Sequence, residues 1–483
     1  MNRMTRFFAV LCILCLTLLA GCGSSDIFPV DPTPEPTATP GVDIPADTSD
    51  PASGQHEEAS EEEKDTLPEE DKDKPVEDNI NSDELTEDEQ ITEDAEKVDS
   101  TQDQVGTSPE DCETCQDEDA SALYPVIKTY NTTLPEEIEA DLAYTDYQIA
   151  YDYVLIIRSD VNIREEPTTE SQILTTGVYG EKYSLLETVQ GEYLEGYDSD
   201  EWHKITFKKD DEVKTGYTFA KLTHVRKFQF DKMYAELAKV KEQVDGHTTA
   251  YISNYKNYSG WAPRFNGGTT DDYGYRRSQS AAGYVEPDKG AYFRYIPDGM
   301  LLNVLEETDD FYKVTPITFG KEYWVEKKFV SFDHSIESLD QVVIVDRKYQ
   351  NCATFEYRDG KWVMISYVFA TTGANGQYKL PTPLGDYMMI QKRDRFLYFK
   401  DGTKEIAGYA PYAIRFSGGG YIHGVPVNYI IRDGKKINPG LKEYLHTIGT
   451  TPRSHMCVRN YTSHAKFLYD RMEIGKAGLF VIE

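Results

Sequence analysis

Between residues 23 and 120 the chain carries 34 acidic side chains against four lysines, and its one aromatic residue there is Phe28. Pro, Thr, Ser, Asp and Glu dominate the stretch. Such a segment cannot bury enough apolar surface to offset the entropy lost on ordering, so it is expected to stay disordered. The folded part must therefore be sought chiefly after residue 120. About 100 residues of flexible coil span roughly 50–60 Å, and like-charge repulsion lengthens that reach. The stretch also accounts for most of the formal charge of −34, leaving the remainder nearly balanced. No basic stripe stands out, which argues against a nucleic-acid partner. The 35 tyrosines, concentrated after residue 120, favour a β-rich folded part.

Ahead of the acidic stretch, Arg3 and Arg6 precede an apolar run over residues 7–20, too short for a comfortable transmembrane helix. The run ends in Leu18-Leu19-Ala20-Gly21-Cys22, which resembles a bacterial lipobox. That resemblance implies cleavage before Cys22 and a diacylglycerol on its thiol; an ordinary secretory signal or a short anchor is the alternative. Each implies export, and lipidation would hold the protein at the outer face of the cytoplasmic membrane or elsewhere in the cell envelope. Residues 1–22 are read as a lipoprotein signal peptide and residues 23–120 as a tether. Cys112, Cys115, Cys352 and Cys457 are then too few and too scattered for a disulfide framework. Cys112 and Cys115 have redox-motif spacing without a βαβ context, and read as incidental cysteines or a local disulfide.

The fold class expected is mainly β. Residues 121–227 centre on Val161-Asn162-Ile163-Arg164-Glu165-Glu166-Pro167, with Gly177, Trp202 to Ile205 and Gly216-Tyr217 following. Short alternating strands between turn residues suggest a small barrel. The region resembles the bacterial Src-homology-3-type domain, which implies either cell-wall peptide binding or a spacer role. Phe230, Met233, Leu237, Val240 and Val244 recur at helical spacing, and Gly246 is a stop signal. Residues 228–285 are read as this helix and an irregular connector. Residues 286–335 echo the second half of the first module and read as a degenerate copy of it. A final domain over residues 336–483 opens with strands at residues 342–346 and 361–365, an Asp359-Gly360 hairpin turn, and Cys352 as a small strand residue. Ser463 is expected to cap a short helix running to about Met472, and Leu479 to Ile482 to form the last strand.

This last domain holds the chemistry. Cys457 stands in Ser454-His455-Met456-Cys457-Val458-Arg459, and Tyr421-Ile422-His423-Gly424 lies upstream. A thiol near its ordinary pKa of ~8.5 is mostly protonated at neutral pH, so a nucleophilic cysteine needs a neighbouring base. Thr371-Thr372-Gly373 and Pro381-Thr382-Pro383-Leu384-Gly385-Asp386-Tyr387 complete an ordered set of four motifs. Together they resemble the catalytic domain of the L,D-transpeptidases, the YkuD family, over about residues 338–483. That resemblance implies a β-sandwich catalytic domain with a short helix, and peptidoglycan stem peptides as substrate. It assigns Cys457 as the nucleophile that forms a thioester, His423 as its base, and the Gly424 carbonyl as the group that orients the imidazole. Ser454 and His455 would support the cysteine loop, and the Cys457 N–H would face the oxyanion. Tyr421 would line the substrate site, while Arg459 would hold a substrate carboxylate or lock the loop by an internal ion pair.

The family releases the terminal D-alanine of a tetrapeptide stem and joins two third residues; with water as acceptor it acts as an L,D-carboxypeptidase. Attachment of another protein's amine to the wall, or a non-catalytic wall-binding lipoprotein, are the other readings. Carbapenem-type inhibitors acylate the family, and no cofactor is implied. His423, His446, His455 and His464 have no recognised metal-ligand spacing. Two features depart from the family pattern. Met456 replaces a glycine before the cysteine, so the loop must take an ordinary backbone or store strain. An insert around residues 430–445 lengthens the interval from His423 to Ser454; it reads as a lid, and brings in His446 as a rival base.

Overall fold

The computed structural model describes residues 124–483 other than 377, 378, 402 and 404. Cys22, the acidic stretch and the Cys112–Cys115 pair lie outside the described residues.

Two sheets precede the final domain and share one strand order. In the first, the strands run Ile173–Gly177, Val161–Arg164, Glu212–Phe219, Ser199–Lys209, Lys182–Leu194, Asp152–Ile156 and Thr223–Lys227 across the sheet. Val126–Thr129 adds an eighth strand against Lys182–Leu194. The second runs Phe293–Pro297, Ser280–Tyr284, Tyr323–Glu326, Phe311–Pro316, Leu301–Glu307, Thr249–Ile252 and Val330–Ser331, the same order strand for strand. Alternation makes these strands: Val161 and Ile163 point inward while Asn162 and Arg164 sit at the surface.

The second module is therefore larger than residues 286–335. Its first two strands, Thr249–Ile252 and Ser280–Tyr284, occupy what the sequence reads as connector. The loop between them is organised by short polar side chains rather than by apolar periodicity. Asn254 donates to the carbonyls of Gly260 and Ser280, and the Asp271 carboxylate accepts from the N–H groups of Tyr273, Tyr275 and Tyr295.

The helix Phe230–Val244 buries Phe230, Met233, Leu237, Val240 and Val244, and ends before Gly246 at φ 81°. Its stripe belongs to the same core as Val342 to Val345, Phe355 and Leu479, so it joins the modules to the final domain.

That domain is built on two sheets. One runs Ile138–Ala140, Lys361–Phe369, Asn351–Arg358, Gln341–Asp346, Ala477–Ile482 and Gly385–Met388, with its first strand lent by the segment leading into the first module. Asp359 and Gly360 turn the hairpin at φ 49° and 87°, the positive values such a tight turn requires. Cys352 is fully buried in this sheet, and burial pushes its thiol up to about 12. The other sheet runs Gln391–Phe399, Ile406–Ser417, Gly420–His423 and Val458–Arg459, with Val427–Asn428 against Ile406–Ser417. Ile414, Phe416, Ile422 and Val458 carry its inner side into the common core.

Candidate active site

Gly420–His423 and Val458–Arg459 pair in parallel, Ile422 opposite Val458 and His423 opposite Arg459. Side chains alternate along a strand, so Ile422 and Val458 enter the core and their neighbours take the other face. Tyr421, His423, Cys457 and Arg459 consequently project together. Two distant motifs become one site through this short pairing.

His423 is 4% exposed, and its Nδ1 lies 2.6 Å from the Gly424 carbonyl oxygen. A carbonyl only accepts, so Nδ1 carries the proton and Nε2 keeps a lone pair. Burial, with the Arg459 charge adding to it against the Gly424 bond, holds the imidazole down at about 4. Cys457 is 7% exposed and burial pushes its thiol up to about 11, against the Tyr421 N–H and the Arg459 charge, which favour thiolate. At neutral pH the thiol and the imidazole are therefore both uncharged. The thiol donates to the Gly419 carbonyl at 3.7 Å.

The cysteine loop is fixed from within. Ser454 Oγ donates to the Cys457 carbonyl at 2.5 Å, closing the turn that Met456 must negotiate. Met456 does so at φ 70°, in the left-handed region, and donates its N–H to the Leu380 carbonyl at 2.7 Å. Thr382 Oγ1 accepts from Gly373 N–H at 2.8 Å and donates to the Met456 carbonyl at 2.9 Å. Gly373 has no alternative here: a Cβ would lie 2.3 Å from the Leu380 oxygen and 2.6 Å from Met456 N. The Thr-Gly and Pro-Thr-Pro motifs thus serve as the cradle of the cysteine loop.

His455 stands outside this cradle, half-exposed, with Nε2 3.2 Å from Asp401. Tyr421 is fully buried and stacked on Phe396 at 4.1 Å, so it forms the wall behind the cysteine. Arg459 pairs its backbone with Thr371 in both directions, and its charge is felt at His423, Cys457 and His455. His446 is exposed and turned to the first module, where its carbonyl accepts from Lys182; it is not brought to the cysteine. His464 is buried between Ser366 and Asn460, a packing role.

The insert is anchored rather than loose. Its hairpin, Ile430–Arg432 with Lys435–Ile437, is tied by Lys436 to the Ile406 carbonyl and by Asn438 to Tyr409. Further on, Glu443 accepts from the N–H of Ser463 at 2.9 Å, and so caps the helix Thr462–Arg471 in place of the Ser463 side chain. A groove of about 610 Å³ beside Glu136, Lys241 and Trp362 lies elsewhere, and no residue named around Cys457 lines it. Among the described residues, no group of three or more His, Cys, Asp or Glu side chains is placed to hold a metal ion.

Sequence reasoning missed Gly419 and Thr382 as working parts of the site. The Gly418-Gly419-Gly420 run was the available signal for a backbone approach near the cysteine.

Residues 340–482 match the family model for the L,D-transpeptidase catalytic domain, YkuD. Over those residues the chain is similar to a YkuD-type L,D-transpeptidase catalytic domain. Solved structures similar to the chain include an L,D-transpeptidase from Mycobacterium smegmatis, 14% identical over 42% of this chain and 78% of that one, with a TM-score of 0.23. L,D-transpeptidase 3 from Mycobacterium tuberculosis is 18% identical over 34% of this chain and 74% of its own, with a TM-score of 0.22. A fused Zn-dependent amidase/peptidase/peptidoglycan-binding domain-containing protein from Clostridium acetobutylicum is 18% identical over 30% of this chain and 53% of its own, with a TM-score of 0.21. The chain thus spans about half of that Clostridium protein. No curated protein matches the chain.

Proposed function

We propose that the protein is an exported peptidoglycan L,D-transpeptidase acting through a Cys457 thioester. The observation that carries this reading is the shared face of His423 and Cys457, with Nδ1 of the imidazole committed to Gly424 and Nε2 left as acceptor. In the reaction, Nε2 takes the thiol proton as sulfur attacks the carbonyl carbon of the stem peptide's third residue. The C–N bond to D-alanine breaks and the imidazolium returns its proton to that leaving amine. An acceptor amine on a second stem then attacks the thioester, loses a proton to Nε2, and releases the thiol, which regains it. A base near 4 and a thiol near 11 do not form an ion pair at rest, so proton transfer accompanies attack. Ser454 holds the loop, His455 braces it through Asp401, and Arg459 supplies positive charge for a stem carboxylate. The lipobox at Cys22 would place this domain on a long tether from a membrane.

The test is incubation of the purified protein with disaccharide-tetrapeptide, read by mass spectrometry. A cross-linked dimer lacking one D-alanine is expected. Tripeptide alone would assign water as the acceptor. Unchanged substrate, with no carbapenem mass added at Cys457, would leave a wall-binding role.

A further inference from the structure

The second module reaches the active site through one buried carboxylate. Asp298, in the turn after Phe293–Pro297, is 1% exposed and spreads its two oxygens over three donors. Oδ2 accepts from Arg415 Nη1 at 2.6 Å and from the N–H of Gly418 at 2.9 Å, while Oδ1 accepts from Asn254 N–H at 2.7 Å. Arg415 precedes the turn over residues 417–420 and Gly418 lies within it, and the next residue of that turn, Gly419, supplies the carbonyl that receives the Cys457 thiol.

The rest of the module's edge closes on the same turn. A Cβ on Gly299 would fall 1.8 Å from the Phe416 oxygen, so backbone lies directly on backbone there. Gly418, at φ 50°, has the Gln279 side chain 3.3 Å from where its Cβ would be. The Arg415 guanidinium sits 4.5 Å from the Tyr255 ring centre, and the Tyr421 hydroxyl comes beside that of Tyr255 without hydrogen-bonding geometry. Residues 254, 255, 279, 298 and 299 all belong to the second module.

Apolar contact would hold the two parts together without charges. A buried ion pair adds little net stability, because desolvation offsets most of the attraction; its directional hydrogen bonds specify one arrangement. We infer that Asp298 is a positioning residue for Cys457: the second module fixes the turn over residues 417–420, and with it the Gly419 carbonyl that receives the thiol. The module is a wall of the active site. This rests on Cys457 as the reactive thiol of the proposed function, but not on which acyl group it takes.

An amide has one acceptor oxygen, so Asp298→Asn turns its NH₂ group either on Asn254 N–H or on Gly418 N–H and Arg415, and in both cases leaves the Arg415 charge without its counter-ion. The thiol should then lose its acceptor and gain water. The experiment is alkylation of Cys457 by iodoacetamide across pH 6–11 in the full chain, read by peptide mapping, alongside thermal melting. The double variant Asp298→Asn with Arg415→Gln removes the unpaired charge, and so recovers much of the stability while the turn stays unheld. Expected is a Cys457 titration moved down by about one unit in both variants, making alkylation about tenfold faster at pH 7.5. Where tetrapeptide turnover is measurable, kcat should fall about tenfold with KM within about twofold. A profile unchanged in the single variant would overturn the inference. So would recovery of both the melting temperature and the original profile in the double variant, which would make the pair merely structural. The alkylation arm needs no peptide substrate, so it decides even if the transpeptidase reading fails.

Discussion

The two modules share a strand order and grip the catalytic domain in opposite ways. The first uses cations on carbonyl groups: Arg226 donates to Gly449 O at 2.7 Å, Thr450 O at 2.6 Å and Tyr349 O at 3.3 Å, and Lys182 donates to Ile448 O at 2.5 Å. The second uses an anion on an N–H and a guanidinium, at the turn facing the thiol. One holds the segment approaching the cysteine loop; the other holds the carbonyl that touches the sulfur. A shared topology therefore fixes neither the surface used nor its consequence. What matters is how many bonds separate the grip from the reacting atom.

The comparison breaks most readily at Arg226. Its side chain is buried, so Arg226→Met strands the carbonyls of Gly449 and Thr450 together, while Tyr349 O keeps the Tyr153 hydroxyl. A loss of about 3–5 kcal/mol is expected, measured by urea unfolding. The pH profile of Cys457 alkylation should stay unchanged while the protein is folded. A shifted profile with little loss of stability would make both modules active-site walls.

Acid should separate the modules next. His203 of the first is buried against Thr188 at 3.0 Å, and burial, then the Lys128 charge, hold its imidazole down at about 4. The strand in the same place in the second module, Phe311–Pro316, has no histidine. A folded-state value below the unfolded one of ~6.5 means full stability above pH 6.5, lost as pH falls towards 4. The loss at His203 is about 3 kcal/mol by pH 4. His203→Gln should flatten this acid limb in unfolding experiments; an unaltered limb would move the acid sensitivity to His423 and His464. On the proposed mechanism turnover should fall over the low end of the same range for a separate reason, as His423 gains a proton near 4 and can no longer accept one from Cys457.

A third test concerns the insert, which the first module's leading segment touches. Tyr147 donates to Glu443 at 3.3 Å, and Glu443 caps the helix that follows the cysteine loop. Glu443→Ala should cost about 1 kcal/mol in melting experiments, the value of a lost N-cap. A loss of activity beyond that would give the insert a role at the site.

Local signals in the sequence did their work where the physics is local. The stripe of the helix Phe230–Val244, the Asp359-Gly360 turn and the buried Cys352 are all readable from spacing or turn chemistry. The first strands of the second module were hidden because Ile252 and Ser280 are joined by a long loop held by Asn254 and Asp271. Neither residue leaves a periodic trace. The Asp298–Arg415 pair spans 117 positions, and no spacing rule connects residues that far apart. His446 could be set aside only once its carbonyl was seen on Lys182. The cap on the last helix was assigned to Ser463, the residue nearest in sequence, when Glu443 supplies it from twenty positions away.

The smallest effect expected is at Met456, where sequence alone left two outcomes open. The loop stores strain: φ is 70°, a conformation that costs an L-residue roughly 1–2 kcal/mol. Several bonds hold it there, from Met456 N–H to Leu380, from Thr382 to the Met456 carbonyl, and across Ser454. Met456→Gly relieves the strain but frees the unfolded chain by about 0.5–1 kcal/mol. It also removes a side chain whose Cε lies 3.4 Å from where a Cβ on Gly420 would be. The net stabilisation should stay below about 1 kcal/mol, read as a small rise in melting temperature. That contact lies on the turn held by Asp298, so the variant also reports on the second module's grip. If Met456→Gly lowers the melting temperature, the methionine braces the turn over residues 417–420 from the cysteine side, as Asp298 does from the other.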